Sequence, residues 1–584
     1  MAPSSLLLLL FALLAGPGAF PVSADASPDS ALSRRPQRTS ASLDSASPDS
    51  TLSQEFKVAA LKAELLELRA KVKAQVAMLK AQGSEMQGLL GQPLEEAAAQ
   101  RRLQSASYVS VVSWEETVEN YHMAMDSLWL LLCGALVMLM HAGFSMLEAG
   151  CCRVKNTSNV LMKNLVNVCM GTLGWYFFGW AIAYGGPYDS QGLLIDDAFI
   201  GSKEFLSDGF VKETSDGMQP SMKMLSWFFQ WAFCTAGATI VSGGVAERVK
   251  SPSYAVFAFV MAGFIYPCIA AWCWGGGWLS KDIVMGDFHT HTGITDFAGS
   301  GVVHVTGGIA ALAGTVVLGP RKGRFERPEE FEAHSLPLVV LGTFILWFGW
   351  FGFNPGSTLT MHSKEMGAIA AQVAVNTTLS AAAGGITVFS IRYALLRKYD
   401  VGGLCNGILV GLVSITAGCA TMESGSAICV GLIGSFIYQA ASMLLVKLKI
   451  DDPVDAVPVH GAGGMWGVIA AVLFDWGEGF DSFHGKNLLK CTPKFDDSTK
   501  CSNVGGALVA QIIMLVVIIL WSGTLSSITF LLMRFTGLLR IDEETEELGM
   551  DLKMHSPAKA YIMSPQQNPE PPTVPVLDRT SLFV

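Results

Sequence analysis

Charge is what this sequence has least of. Only 15% of its 584 residues are Asp, Glu, Lys or Arg, against roughly 25% in an average soluble chain. That shortage argues against a soluble enzyme, a disordered chain or a nucleic-acid binder. Paired cysteine is scarce too. Most of the 12 Cys lie inside apolar runs, as small core residues. Cys491 and Cys501 share a polar loop, where a disulfide is open if that loop faces an oxidising side. No metal or other cofactor is expected. What is present instead is 51% hydrophobic residues with 60 Gly and 14 Trp, which suits close helix packing and interfacial anchoring in a bilayer. The net charge of −10 sits mostly in tails and loops and says little about partners.

Residues 1–24 read as a secretory signal, with an apolar core from Leu6 to Ala15 and the small-residue cleavage site Val22-Ser23-Ala24. The rival reading, an uncleaved anchor, needs a run long enough to cross about 30 Å of hydrocarbon, and this one is too short. Residues 25–50, rich in Ser, Pro and Asp, form a linker. Residues 51–103 then carry Val58, Leu61, Leu65, Leu68, Val72, Gln75, Leu79, Gln82, Met86 and Leu89 at alternating +3 and +4 spacing. That is a coiled-coil seam, with a solitary amphipathic helix as the alternative.

From residue 127 the apolar runs read as eleven spans, at 127–147, 161–184, 223–246, 254–274, 297–319, 337–357, 366–391, 402–420, 424–446, 457–474 and 508–533. Arg and Lys collect after every odd span, as at Arg153, Arg248, Arg321, Arg397, Lys447 and Arg534. The expected orientation is therefore N-terminus extracellular and C-terminus cytoplasmic, in a plasma membrane. The sequons at Asn156 and Asn376 then fall on the cytoplasmic side and within a span, so neither is expected to carry a glycan.

A short repeat stands out. Asp296-Phe-Ala-Gly-Ser-Gly-Val-Val-His304 is followed by Gly307-Gly308, and Asp452-Pro-Val-Asp-Ala-Val-Pro-Val-His460 by Gly463-Gly464. Five spans separate the copies, so the second runs inverted through the membrane, a common transporter design. A lone His in an apolar run is ordinarily a hydrogen-bonded core residue. Two in equivalent positions of inverted halves are expected to meet near the midplane, where an imidazole pair can pass a proton or receive a small polar molecule. Bis-His haem ligation is the rival reading. The aromatics Phe229, Trp274 and Phe353 lie towards span ends, where rings are commonly interfacial belts, and Phe233 lies one turn deeper than Phe229. Phe229 and Trp274 with the Ser357 hydroxyl would instead make an outward cation–π cup, worth about 0.5–2 kcal/mol to an ammonium-like cation.

Four stretches resemble the ammonium transporter (Amt/MEP/Rh) family: Phe229-Gln-Trp-Ala-Phe to Glu247-Arg248, Asp296 to His304, Phe353-Asn-Pro-Gly-Ser357 and Asp451 to His460-Gly. The resemblance runs from about residue 127 to 561, and the Trp-Gly-Gly-Gly and Phe-Asn-Pro-Gly-Ser stretches look like the Amt/MEP branch. It implies an eleven-span, all-α membrane protein with a 5+5 inverted repeat plus one span. It also implies a homotrimer with one pore per protomer, moving ammonium or methylammonium. By similarity, Phe229, Trp274 and Ser357 recruit ammonium, Phe233 and Phe353 gate the pore, and His304 and His460 line it. Asp296 supports the recruitment site and Asp455 lies towards the inner end. The transporter domain is then 127–536. The tail 537–584 resembles the family's cytoplasmic regulatory segment, a place for a regulator to act, but Lys553 stands where plant relatives carry a phosphorylatable Thr, and Pro557 replaces the usual glycine-rich continuation. Electrogenic ammonium uptake is the expected function, with an ammonium sensor of little flux and a passive ammonia channel as the alternatives.

Overall fold

The computed structural model describes residues 114–474, apart from 191–192, 196–198, 215–216, 286–287 and 291, and residues 504–561. These belong to one compact unit, Val112–Val584. The expected signal segment, linker, coiled coil and Cys491–Cys501 pair lie outside the described residues.

Among the described residues, nine helices are long and apolar enough to cross a membrane, and two apolar helices are shorter. In chain order they are α1 (Thr117–Cys151), α2 (Val154–Tyr184), α3 (Lys223–Gly244), α4 (Ser251–Ser280), α5 (Ser300–Leu318), α6 (Leu336–Thr358), α7 (Lys364–Leu396), the short α8 (Val401–Ile415), α9 (Ser424–Lys447), the short α10 (Val457–Leu473) and α11 (Gly505–Phe535). Two small antiparallel hairpins, Val211–Thr214 with Gly217–Pro220 and Val284–Met285 with Phe288–His289, lie in loops. Leu165, Phe344, Ile386, Leu520 and Leu532 are exposed on helix surfaces. A lipid environment accounts for apolar side chains facing outward in that number.

Non-helical backbone at two places has its polar groups answered internally. Before α5, the N–H groups of Phe297 and Ala298 donate to the carbonyls of Ala417 and Thr416, at 3.0 and 3.2 Å. The N–H of Ala417 returns a bond to Ser300 Oγ at 2.8 Å. This pairing is why α8 stops at Ile415, short of the apolar run's end near residue 420. Buried backbone needs such partners wherever no water reaches it.

Candidate functional site

His304 and His460 each ride on a π-helical turn, Ser300–Val305 and Val457–Ala462. Such wide turns recur at functional sites. In both, the Asp eight residues earlier caps the turn. Asp296 accepts from the N–H groups of Gly299, Gly301 and Val302 at 2.9–3.0 Å, and Asp452 Oδ2 accepts from Val457 N–H at 2.7 Å. Close backbone approach then brings the two turns together. A Cβ on Gly308 would stand 2.3 Å from the Gly461 nitrogen, so any larger residue there forces the helices apart.

The result is direct contact. Nδ1 of His460 lies 3.1 Å from Nδ1 of His304, with the rings 5.2 Å apart at 22°. One Nδ1 must carry the hydrogen and the other accept it, so the pair shares one proton between two facing nitrogens. His304 Nε2 is buried without a hydrogen-bond partner among the described residues. Both imidazoles are almost wholly buried, at 1% and 5% exposure.

From this pair a ladder of rings leads to one end of the bundle. Trp350 and Phe353 stack on His304 at 5.3 and 5.5 Å, and Phe353 stacks on Phe233 at 4.1 Å and 22°. Phe233 in turn meets Phe229 at 4.8 Å and the edge of Trp274 at 6.1 Å. Phe229 and Phe233 share a face because they are one helical turn apart. Asp296 does a second task here, since its carbonyl takes the Trp274 indole N–H at 2.8 Å. Gly299 (φ +107°) leaves room for that indole, as a Cβ would stand 3.0 Å from it. Ser357 Oγ donates to the Phe353 carbonyl at 2.9 Å, so its lone pairs stay free to accept. On the far side, the Phe144 ring lies 6.0 Å from His460.

A profile of the Ammonium Transporter Family matches residues 128–561. The chain belongs to that family. It is 40% identical to the ammonium transporter Amt2 of Archaeoglobus fulgidus over 76% of this chain and 90% of that one. It is 37% identical to ammonium transporter 1 member 3 of Solanum lycopersicum over 78% and 96%. Among solved structures it resembles a protein titled "Sensor Amt Protein", with a TM-score of 0.62, 29% identity and coverage of 75% and 99%. It also resembles Saccharomyces cerevisiae Mep2, with 0.60, 26%, 76% and 94%. The family assignment and the apolar helices together make it an all-α, multi-pass membrane protein.

The opposite end of this family member is basic and densely paired. Glu247 accepts from Arg153 Nε at 2.5 Å, from Asn156 Nδ2 at 2.8 Å and from Arg321. Arg321 also forks onto Asp451 with two bonds of 2.8 Å. Arg153 and Arg321 lie over Phe331 at 4.3 and 5.0 Å. Burial pushes the Glu247 carboxyl up, but the Arg321 and Arg153 charges outweigh it and hold it below the usual range. The tail docks here too. Arg540 Nη1 donates to the Leu318 carbonyl at 2.7 Å, and Asp551 accepts from the Ser158 and Asn159 N–H groups at 2.8 and 3.0 Å. Asn156 and Asn376, the sequon residues, are buried with their amides bonded inside the protein.

Asp455 is held by the Tyr438 hydroxyl at 2.7 Å and Ser442 at 3.2 Å. Sequence reading passed over two features. A cavity of about 500 Å³ lies against Phe229 and Gln230, with Trp180, Tyr184, Glu204 and Lys223 in its wall. A second cavity, of about 20 Å³, lies beside His460 and is lined by Phe144, Glu148, Thr239 and Gly243. No sequence signal pointed to it, because Glu148 falls one residue past the apolar run 127–147.

Proposed function

We propose that this protein is an ammonium transporter whose eleven apolar helices, α8 and α10 included, cross the plasma membrane as two inverted halves of five plus one. The N-terminus lies outside and the basic end faces the cytoplasm, as the positive loops favour. Phe229, Trp274 and Ser357 recruit ammonium, Phe233 and Phe353 form the gate, and His304 and His460 receive ammonia beneath it. Asp296 positions Trp274, and Asp455 stands near the inner end. The protein assembles as a homotrimer.

Physical chemistry supports deprotonation on the way. A bare cation in a hydrocarbon-like slot faces a cost of tens of kcal/mol, which rings alone do not repay. Ammonia avoids that cost, but with amine pKa values near 10 under about 1% is neutral at pH 7. The workable route binds the cation outside, strips its proton and passes ammonia inward. The proton follows through the imidazoles, giving net charge transfer. Potassium is refused because it has no proton to lose.

The observation that carries the reading is the 3.1 Å Nδ1–Nδ1 contact at the foot of an unbroken aromatic stack. Ammonium-evoked current in oocytes expressing His304→Ala, His460→Ala and the double variant tests it. Each single change should cut current at least tenfold, about 1.4 kcal/mol. Wild-type current in the double variant would sink it. Likeness to a structure titled as a sensor favours a second reading, signalling with little flux; ligand binding by a wild-type protein with neither uptake nor current would select it.

A further inference from the structure

Glu148 and Lys163 are a buried charge pair that the scheme above does not use. Their side chains are 3% and 1% exposed, and Glu148 Oε1 lies 3.5 Å from Lys163 Nζ. The two oxygens of Glu148 are treated differently. Oε2 is fully occupied, accepting from Asn164 Nδ2 and from Ser242 Oγ at 2.8 Å. Oε1 has the long contact to Lys163, whose ammonium bonds more closely to the Ser242 carbonyl at 2.6 Å. A carboxylate oxygen accepts two hydrogen bonds, so Oε1 keeps an open lone pair among the described residues. It lies towards Gly243, where an added Cβ would stand 3.7 Å away.

Glu148 and His460 line one cavity of about 20 Å³, with Phe144, Thr239 and Val459 around them. Roughly 10–15 Å³ of such space holds one water, so there is room for a single ammonia-sized molecule. An ionisable pair at this depth is costly and marks function by default. Lys163 balances the carboxylate, which makes the ionised form tolerable with no ion in the cavity.

We infer that Glu148 is the inner proton-relay residue of the pore, returning to ammonia, in the cavity it shares with His460, the proton stripped outside. The inference rests on the proton-coupled reading of the transport cycle. In the step, an N–H bond of the protonated imidazole pair breaks and an O–H bond forms on Glu148 Oε1, bridged by the single water that the cavity holds before ammonia displaces it. The lone pair of ammonia then takes that proton. The O–H bond breaks, the fourth N–H bond of ammonium forms, and the carboxylate is restored beside Lys163 with no other reactant consumed. Ammonium leaves towards the cytoplasm. Asn164 and Ser242 are positioning residues, because they fix Oε2 and so aim Oε1.

The test is charge moved per molecule taken up, from simultaneous current and labelled methylammonium uptake in oocytes at matched surface expression. Wild type should move one charge per methylammonium. Glu148→Gln keeps the shape and cannot relay, so uptake falls and charge per molecule falls further, at least fivefold. Glu148→Gln with Lys163→Met removes both charges together, a change buried pairs often tolerate, and should show the same ratio if the single variant misfolds. Either variant keeping one charge per molecule while uptake drops would reduce Glu148 to a structural role and overturn the inference. Wild type taking up tracer without current would instead overturn proton coupling itself, a separate failure read in a separate arm.

Discussion

His304 is flanked by the rings of Trp350 and Phe353, whereas Glu247 is flanked by the guanidiniums of Arg153 and Arg321. Both side chains are polar and 1% exposed, yet the protein surrounds them in opposite ways. An imidazole can be neutral, so one hydrogen bond and apolar walls suffice for it. A carboxylate stays ionised and needs several charged donors before burial becomes tolerable. The contrast divides the molecule into a buried region walled by rings and a basic end built from ions. Glu148 and Lys163 lie between the two regimes.

The largest expected effect comes from breaking the ionic side. Arg321→Ala leaves Glu247 with one guanidinium and Asp451 without the fork that held it. Removing one partner of a buried pair costs about 3–5 kcal/mol, so the detergent-solubilised protein should unfold many degrees lower. A shift within two degrees of wild type would mean that the basic end is not held by its charges.

Asp451 and Asp452 sharpen the comparison within one dipeptide. Burial pushes both carboxyls up. For Asp451 the Arg321 guanidinium outweighs it and holds the group below the usual range. For Asp452, burial followed by the Asp455 charge wins instead and pushes it up to about 7. The folded protein therefore holds a proton that the unfolded chain releases from pH ~4 upward. Stability from this group is present below about pH 4 and is lost as pH rises through about 7. Asp452→Asn mimics the protonated form and keeps the oxygen that caps Val457. It should raise Tm at pH 8, by up to a few kcal/mol of stability, and leave Tm unchanged at pH 4. An equal shift at both pH values would refute the assignment.

These pairs also mark where reading the sequence stops. Apolar runs located the helices, because lipid demands hydrophobicity along a continuous stretch, and the aspartate–histidine spacing singled out the two imidazoles that meet. The partners of Glu247 and Asn156 were not legible. They lie 74 and 394 residues away along the chain for Arg321 and Met550, and no periodicity encodes such pairing. Arg153 and Arg321 read as loop charges that set orientation, with nothing to say that Arg321 would be 3% exposed. Glu148 falls one residue beyond the apolar run 127–147, so that run did not mark it. In the structure α1 continues to Cys151 and carries it inward. The break after α8 was hidden because residues up to 420 stay apolar although their backbone bonds to the segment before α5.

The smallest effect concerns the seam between the basic end and the tail. Asp551 accepts from two N–H groups in the first turn of the α-helical part of α2, which begins at Thr157. It thus caps from a distance the free donors that a local Asp or Ser would ordinarily take. Met550 N–H adds a bond of 2.9 Å to Asn156 Oδ1, so Glu247 and the tail share one asparagine. Losing a cap costs about 1 kcal/mol, too little to unfold a bundle held elsewhere by apolar packing. Asp551→Ala should therefore leave Tm within about 2 °C of wild type while exposing the tail. Amide exchange over residues 550–561 should speed up about fivefold, the equivalent of that 1 kcal/mol, and Asp551→Asn should recover part of the protection. If the alanine variant instead lowered Tm as far as Arg321→Ala does, tail and ionic cluster would be one cooperative unit, and the tail could not undock without melting the basic end of the bundle.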